Sequence, residues 1–187
     1  MSERKQQILQ AAINIIVEQG YGALTMRALA RADGIKLGAL QYHFKTKDDM
    51  LRALVGYIAD DYQKIFDVMD TDIDSIGIKG LLGIIGMDPA EGALQLDKLA
   101  PQLWAMGQVE PLVADLVDDI YDHYLRVLEK KIEAVGGESP RAEAICIMSM
   151  MEGTTLFLSE GKRWSVDKDV VMETLLSFVK AKYGEKA

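Results

Sequence analysis

The residues of this 187-residue chain that could do chemistry lie mostly near its start. Ala30, Gly34 and Leu40 stand at the spacing of a helix-turn-helix. The first helix of such a unit needs a small residue where the second crosses it. Four residues on, the turn needs a left-handed backbone, which glycine adopts without steric cost. Six residues further, an apolar side chain must dock the second helix. Ile35 supplies an apolar plug in the turn, so the unit runs from about Met26 to Lys45. The second helix of such a unit lies in the major groove of DNA, and its neighbours grip phosphates. The stretch GIKLGALQYHFKTKDDML places Lys36, His43, Lys45 and Lys47 before its first acid, Asp48. His43 has no Cys, Asp or second His at ligand spacing. It reads as a phosphate contact or a packing residue, not as a catalytic or metal-binding group.

The charge is divided along the chain. Residues 1–52 hold eight Lys+Arg against five Asp+Glu, a balance of +3, and the remainder holds 13 against 24, a balance of -11; together they make the formal -8. Only the head is suited to a polyanion. The length suits one or two compact units with a substantial core. The single cysteine, Cys146, allows no intrachain disulfide, which fits a reducing compartment. The N-terminus is polar, without the apolar stretch of a signal peptide, and the longest apolar runs are too short for a bilayer. A cytoplasmic protein with no membrane association is expected.

The apolar spacing is helical almost throughout, with no convincing alternating strand. Ile8, Ala12, Ile15 and Ile16 share one face of a first helix that Gly20 ends. Thr25 caps a short second helix, and a third runs from about Lys36 to His43. Thr46-Lys47-Asp48-Asp49 has the form of a capping box and opens a long helix from Lys47 to about Met69. Gly77, Gly80, Gly83 and Gly86 then recur every third residue. That bare stripe admits either close approach of a backbone or ligand, or a poorly ordered connector. Asp88-Pro89-Ala90-Glu91 is a further start signal, before a helix carrying Leu96, Leu99, Leu103 and Trp104. Pro111 opens a helix that Gly136-Gly137 stops, Ser139-Pro140 opens one to about Ser159, and the last runs from Asp167 to Tyr183. The fold class is all-α with about nine helices.

The segment Ile8 to Leu51 resembles the DNA-binding domain of the TetR family of transcriptional regulators. Gly20-Tyr21, Thr25, Tyr42-His43-Phe44, and Thr46-Lys47 with Leu51 carry the resemblance. It covers about a quarter of the chain. It implies a helix-turn-helix DNA-binding domain over residues 1–46. A long helix would join this to a ligand-binding and dimerisation domain over residues 47–187. Lys36 and Ala39 depart from the hydroxyl residues common in the family, and Gln41-Tyr42 from its aromatic pair, so the operator should differ from those of relatives. Within that frame Thr25, Arg27, Tyr42, His43 and Lys47 are phosphate-contact or packing candidates. Lys36, Leu37, Gly38, Ala39 and Gln41 face the groove, with Gln41 able to contact adenine through two bonds. Phe44 belongs to the core.

The body is read from side-chain character. The helix from Ser139 is apolar nearly all round, so one face can line the interior and another can meet a partner. The resemblance implies a homodimer through the last two long helices. An effector pocket would draw on Tyr62, Phe66, Trp104, Tyr121, Tyr124, Met148 and Met151, with Glu152 as its charged anchor. Cys146 reads as a small buried hydrophobe, and Asp119 with His123 as a solvated face rather than a metal site. The expectation is a ligand-responsive repressor with no cofactor and no catalytic residues. A small, largely apolar effector would wedge the helices between the glycine stripe and Trp104 and tilt the long helix, releasing operator DNA. A transcriptional activator and a helical adaptor that binds protein are the alternatives. An enzyme is disfavoured because no Ser-His-Asp or Cys-His pairing and no phosphate loop is found.

Overall fold

The computed structural model describes residues 1–71, 77–86 and 96–184. Among these residues there are nine α-helices and no strand. The start signal at residues 88–91 lies outside them. Packing divides the described chain into two units. The first holds α1–α3, α4 through Lys64, α6, and α7 through Asp118. The second holds α4 from Ile65, α5, α7 from Asp119, α8 and α9.

In the first unit, α1 (Glu3–Gln19) buries Ile8, Leu9, Ala12, Ile13, Ile15 and Ile16 and stops at Gly20. A single 3-10 turn, Tyr21–Ala23, leads to Thr25. The Thr25 hydroxyl accepts the Ala28 N–H at 3.1 Å and so starts α2 (Met26–Ala32). Gly34 sits at φ 69° with open space where a Cβ would be, so the backbone conformation rather than crowding requires glycine. The Ile35 N–H then closes onto the Ala30 carbonyl at 2.9 Å. Lys36 is the cap of α3 (Leu37–His43) rather than its first residue.

α4 (Lys47–Thr71) begins with both halves of the capping box in place. Thr46 Oγ1 accepts the Asp49 N–H at 3.0 Å, and Asp49 Oδ2 accepts the Thr46 N–H at 3.1 Å. α6 (Leu96–Gly107) packs on α1. α7 (Pro111–Ala134) completes the unit through Asp118.

In the second unit, α5 (Ile78–Gly86) carries the glycine stripe and packs on α9 (Lys168–Tyr183). Among the described residues nothing lies within 4 Å of a Cβ built at Gly83. After α7, Gly136 takes φ 86°. A Cβ at Gly137 would stand 2.3 Å from Ile132 Cγ2, so this second glycine is required by crowding. α8 (Pro140–Leu158) starts at Ser139, but the Ser139 side chain makes no cap bond. Instead Glu143 Oε1 reaches back to the N–H groups of Glu138 and Ser139, at 3.2 and 3.1 Å. The other carboxylate oxygen, Oε2, accepts from the Tyr183 hydroxyl at 2.5 Å. That bond holds the Glu143 carboxyl below its ordinary value and joins the start of α8 to the end of α9.

α8 is not buried on every side of this chain. Ala144, Ile147, Met148, Met151 and Leu158 face inward, while Ile145, Cys146, Met150, Leu156 and Phe157 are exposed. The expectation of a buried Cys146 fails because it falls on the outward side of the helix. α9 divides likewise: Leu175 and Val179 are buried, Val171 and Phe178 are not. Among the described residues no helix is long and apolar enough to cross a membrane.

Thr46→Ala should lower the unfolding free energy by about 1 kcal/mol, with Thr46→Ser retaining most of it. Urea denaturation followed by circular dichroism measures both; an unchanged midpoint for the alanine variant would remove the capping box as a stabilising element.

Candidate functional site

Two groups of residues need placing: those around α3 and those of the body. α3 is anchored by one side only. Leu40 is fully buried, Ala30 beneath it is 4% exposed and Phe44 at its end is 3% exposed. Phe44 is thus core, as its chemistry suggested, with the Lys5 ammonium 5.5 Å from its ring centre. Burying that side turns the other outward. Thr25, Arg27, Lys36, Gly38, Ala39, Gln41, Tyr42 and Lys47 are all exposed, and Leu37 and His43 partly so. Tyr42 is 86% exposed, with its ring edge-to-face against His43 at 5.4 Å. An aromatic ring so exposed on a basic surface is unusual packing but a good contact group for phosphate or base.

Two interactions in this unit had no signal in the sequence. Arg4 forms an ion pair with Asp33 in the helix-turn-helix turn, 29 residues away. The Asp33 side chain is only 8% exposed, so this pair ties the turn to the start of α1 and uses one of the head's positive charges internally. The Tyr21 hydroxyl donates to Glu110 Oε1, 89 residues on, and the Lys47 ammonium sits 4.5 Å from the Tyr21 ring centre. Burial, then the bond to Glu110, pushes the Tyr21 phenol above its ordinary value, so it remains a donor. Lys47, at the start of α4, is thereby held beside the residue that precedes α7.

The body candidates separate between the units. Tyr62 is buried and Trp104 half-buried in the first. Phe66, Tyr121, Tyr124, Met148, Met151 and Glu152 belong to the second. There Phe66 meets Tyr124 edge-to-face at 5.3 Å. Met148 and Met151 are each 4% exposed on the inward side of α8. Glu152, beside them, is hydrogen-bonded with Tyr121 of α7. Desolvation raises the Glu152 carboxyl above its ordinary value, and the Tyr121 bond only partly opposes this.

His123 does not lie on a solvated face. Its ring stacks on Phe66 at 3.9 Å, and its Nε2 is buried, without a hydrogen bond among the described residues, 3.5 Å from Asp70 Oδ1. Asp119 is exposed, and among the described residues no three His, Cys, Asp or Glu converge on a metal-sized site.

An all-helical protein with an exposed, one-side-anchored helix after a glycine turn is a helix-turn-helix protein. Residues 8–54 match the family model of the bacterial regulatory proteins, tetR family. The HTH-type transcriptional repressor KstR2 of Mycolicibacterium smegmatis is 30% identical over 79 residues, 40% of this chain and 38% of that protein. The HTH-type transcriptional repressor Rv1474c of Mycobacterium tuberculosis is 31% identical over 103 residues, 55% of this chain and 49% of its own. The chain thus spans half or less of the length of these curated relatives.

Solved structures match the fold over nearly its full length. A protein described as a transcriptional regulator from Saccharomonospora viridis, in complex with choline, shares 21% identity over 96% of this chain and 97% of its own, with a TM-score of 0.77. The TetR transcription regulator of Haloarcula marismortui shares 19% identity over 97% of this chain and 98% of its own, TM-score 0.71. The multidrug binding protein EbrR complexed with malachite green shares 18% identity over 94% of this chain and 98% of its own, TM-score 0.62. The family match thus covers residues 8–54, and the likeness to these solved structures is one of fold.

Glu152 sets a pH dependence of stability. Its carboxyl is raised in the folded state, so the unfolded chain loses its proton first as pH rises. Stability is therefore lost from the ordinary glutamate value of 4.5 upward, until the folded-state value is passed. Glu152→Gln, which does not titrate, should melt higher than wild type at pH 7.5, with the difference shrinking toward pH 4. Thermal melts across that range check this; a constant difference would show that the side chain is fully hydrated.

Proposed function

We propose that this protein is a member of the TetR family and a sequence-reading DNA-binding regulator, a repressor that releases its operator when a small effector binds in the helical body. The observation that carries the reading is the exposure of Thr25, Arg27, Lys36, Gln41, Tyr42 and Lys47 on and around α3 while Leu40, Ala30 and Phe44 are buried. In this reading, residues 1–46 are the DNA-binding domain. Gln41 reads a base edge in the major groove, Lys36 reaches guanine or a phosphate, and Arg27, Tyr42 and Lys47 hold the backbone. The Thr25 cap presents the start of α2 to a phosphate. The names of the M. smegmatis and M. tuberculosis relatives support repression.

Residues 47–187 then bind the effector and a second copy. The outward sides of α8 and α9 support this. They expose Met150, Phe157, Val171 and Phe178, joined by Trp164 of the connection between them, along a groove of about 580 Å³. So much adjoining apolar surface marks a partner site, and a two-fold pair of heads is what two half-sites one DNA turn apart require. Effector binding must favour a body conformation in which the two recognition helices no longer match that spacing. The ligand-bound neighbours, one with choline and one with malachite green, support a body of this shape holding an organic molecule.

Fluorescence anisotropy on DNA from upstream of the protein's own gene tests the first half. Tight binding that weakens with salt and exceeds that to scrambled DNA is expected. Gln41→Ala should cost about 1–3 kcal/mol on the operator. Equal affinity for scrambled DNA would overturn sequence reading. For the second half, Phe178→Asp should shift the sedimentation coefficient from dimer to monomer; a wild-type protein already monomeric at micromolar concentration would remove the dimer.

A further inference from the structure

The Tyr21 side chain joins the head to the residue before α7, and Lys47 lies on its ring. Glu110 is a fixed post. Its N–H donates to the Met106 carbonyl at 2.8 Å, and its carbonyl accepts the N–H groups of Val113 and Ala114 at 2.9 and 3.1 Å. Its carboxylate accepts from the Tyr21 hydroxyl, which stops the phenol ring from swinging. Gly20, just before the ring, stands beside α6, where a Cβ would lie 3.8 Å from Gln102 Oε1. The Lys47 ammonium then sits 4.5 Å from the centre of the Tyr21 ring.

Lys47 opens α4, where a cation opposes the helix dipole and adds nothing to the stability of the helix. A lysine there suits a partner that brings negative charge. Its stem is flexible, so ordering it on a phosphate costs rotamer entropy. Two devices hold such a group in advance. A carboxylate fixes the cation and cancels its charge, as Asp33 does for Arg4. An aromatic face fixes it and leaves the charge intact. This chain uses the second for Lys47, and the acid, Glu110, takes the phenol hydroxyl instead. Lys47 remains exposed.

We infer that Tyr21 and Glu110 are positioning residues of the DNA grip: Glu110 fixes the Tyr21 ring, and the ring holds the Lys47 ammonium, still charged, where a phosphate of the duplex meets the start of α4. This inference rests on the DNA-binding reading proposed above. Glu110 acts on DNA only through Tyr21 and Lys47. A residue of the connection between α6 and α7 thus serves a grip whose other members all lie at the start of the chain.

Binding of the full-length protein to a duplex of scrambled sequence at low salt tests this, because a phosphate grip needs no operator. Fluorescence anisotropy gives the affinity, and circular dichroism melts report whether each variant is folded. Lys47→Met should weaken binding and lower the salt slope by about one per protomer. Glu110→Gln and Glu110→Ala both remove a negative charge, so their long-range effect on DNA is the same. Only the glutamine can still accept from Tyr21. The alanine variant should therefore bind at least about threefold more weakly than the glutamine variant. Tyr21→Phe, which keeps the ring and loses the hydroxyl, should fall with the alanine variant. In a Lys47→Met background the two Glu110 variants should bind equally, since the group they position is gone. A general loosening of the head would persist in that background. Equal affinities of the two Glu110 variants with Lys47 present, or a difference that survives Lys47→Met, would overturn the inference and leave DNA binding standing. If the wild type binds neither this duplex nor the upstream DNA at low salt, the DNA-binding reading falls and this inference with it.

Discussion

A helix of seven residues has no independent stability, so α3 exists because something else holds it. What holds it is the burial of Leu40 over Ala30 and of Phe44 at its end. Leu→Ala changes at sites buried like Leu40 cost about 2–5 kcal/mol, more than such a short helix could lose and remain ordered. The same burial decides which way every other α3 side chain points. The exposed surface formed by Lys36, Gly38, Ala39, Gln41 and Tyr42 is therefore set by the core behind it. The Arg4–Asp33 pair fixes the turn between the two helices from the other end.

The second unit uses its apolar residues in two directions. α8 presents Ile147, Met148 and Met151 inward and Met150, Leu156 and Phe157 outward, so one helix serves an interior and a surface. Glu143 locks its beginning through two backbone N–H groups and the Tyr183 hydroxyl. Against that fixed start, Glu152 stands two turns further along among apolar neighbours. The helix is thus anchored at one end by a carboxylate bonded to backbone and carries, near its middle, one bonded with the Tyr121 hydroxyl.

Much of the head was legible because its determinants are local. The Thr25 cap, the Gly34 turn and the reciprocal Thr46–Asp49 bonds each span no more than a few residues, and sequence spacing states them directly. The helix ends at Gly20 and at Gly136-Gly137 were readable for the same reason. Illegible were the pairs that only the fold creates: Arg4 with Asp33, Tyr21 with Glu110 and Glu143 with Tyr183 are 29, 89 and 40 residues apart. No periodicity encodes a contact of that kind. Cys146 and His123 were misplaced because an apolar-all-round helix does not announce which side faces in, and because a histidine's stacking partner, here Phe66, sits on another helix.

Gly38 and Ala39 leave the front of α3 almost bare. A Cβ added at Gly38 would meet nothing within 4 Å, and Ala39 is exposed. Larger side chains can therefore be accepted at both positions without disturbing Leu40 or the turn. After a gene duplication, one copy could acquire new specificity here by gaining atoms, while keeping its core, its caps and its body unchanged. Such a surface can be rewritten one residue at a time with a folded protein at every step.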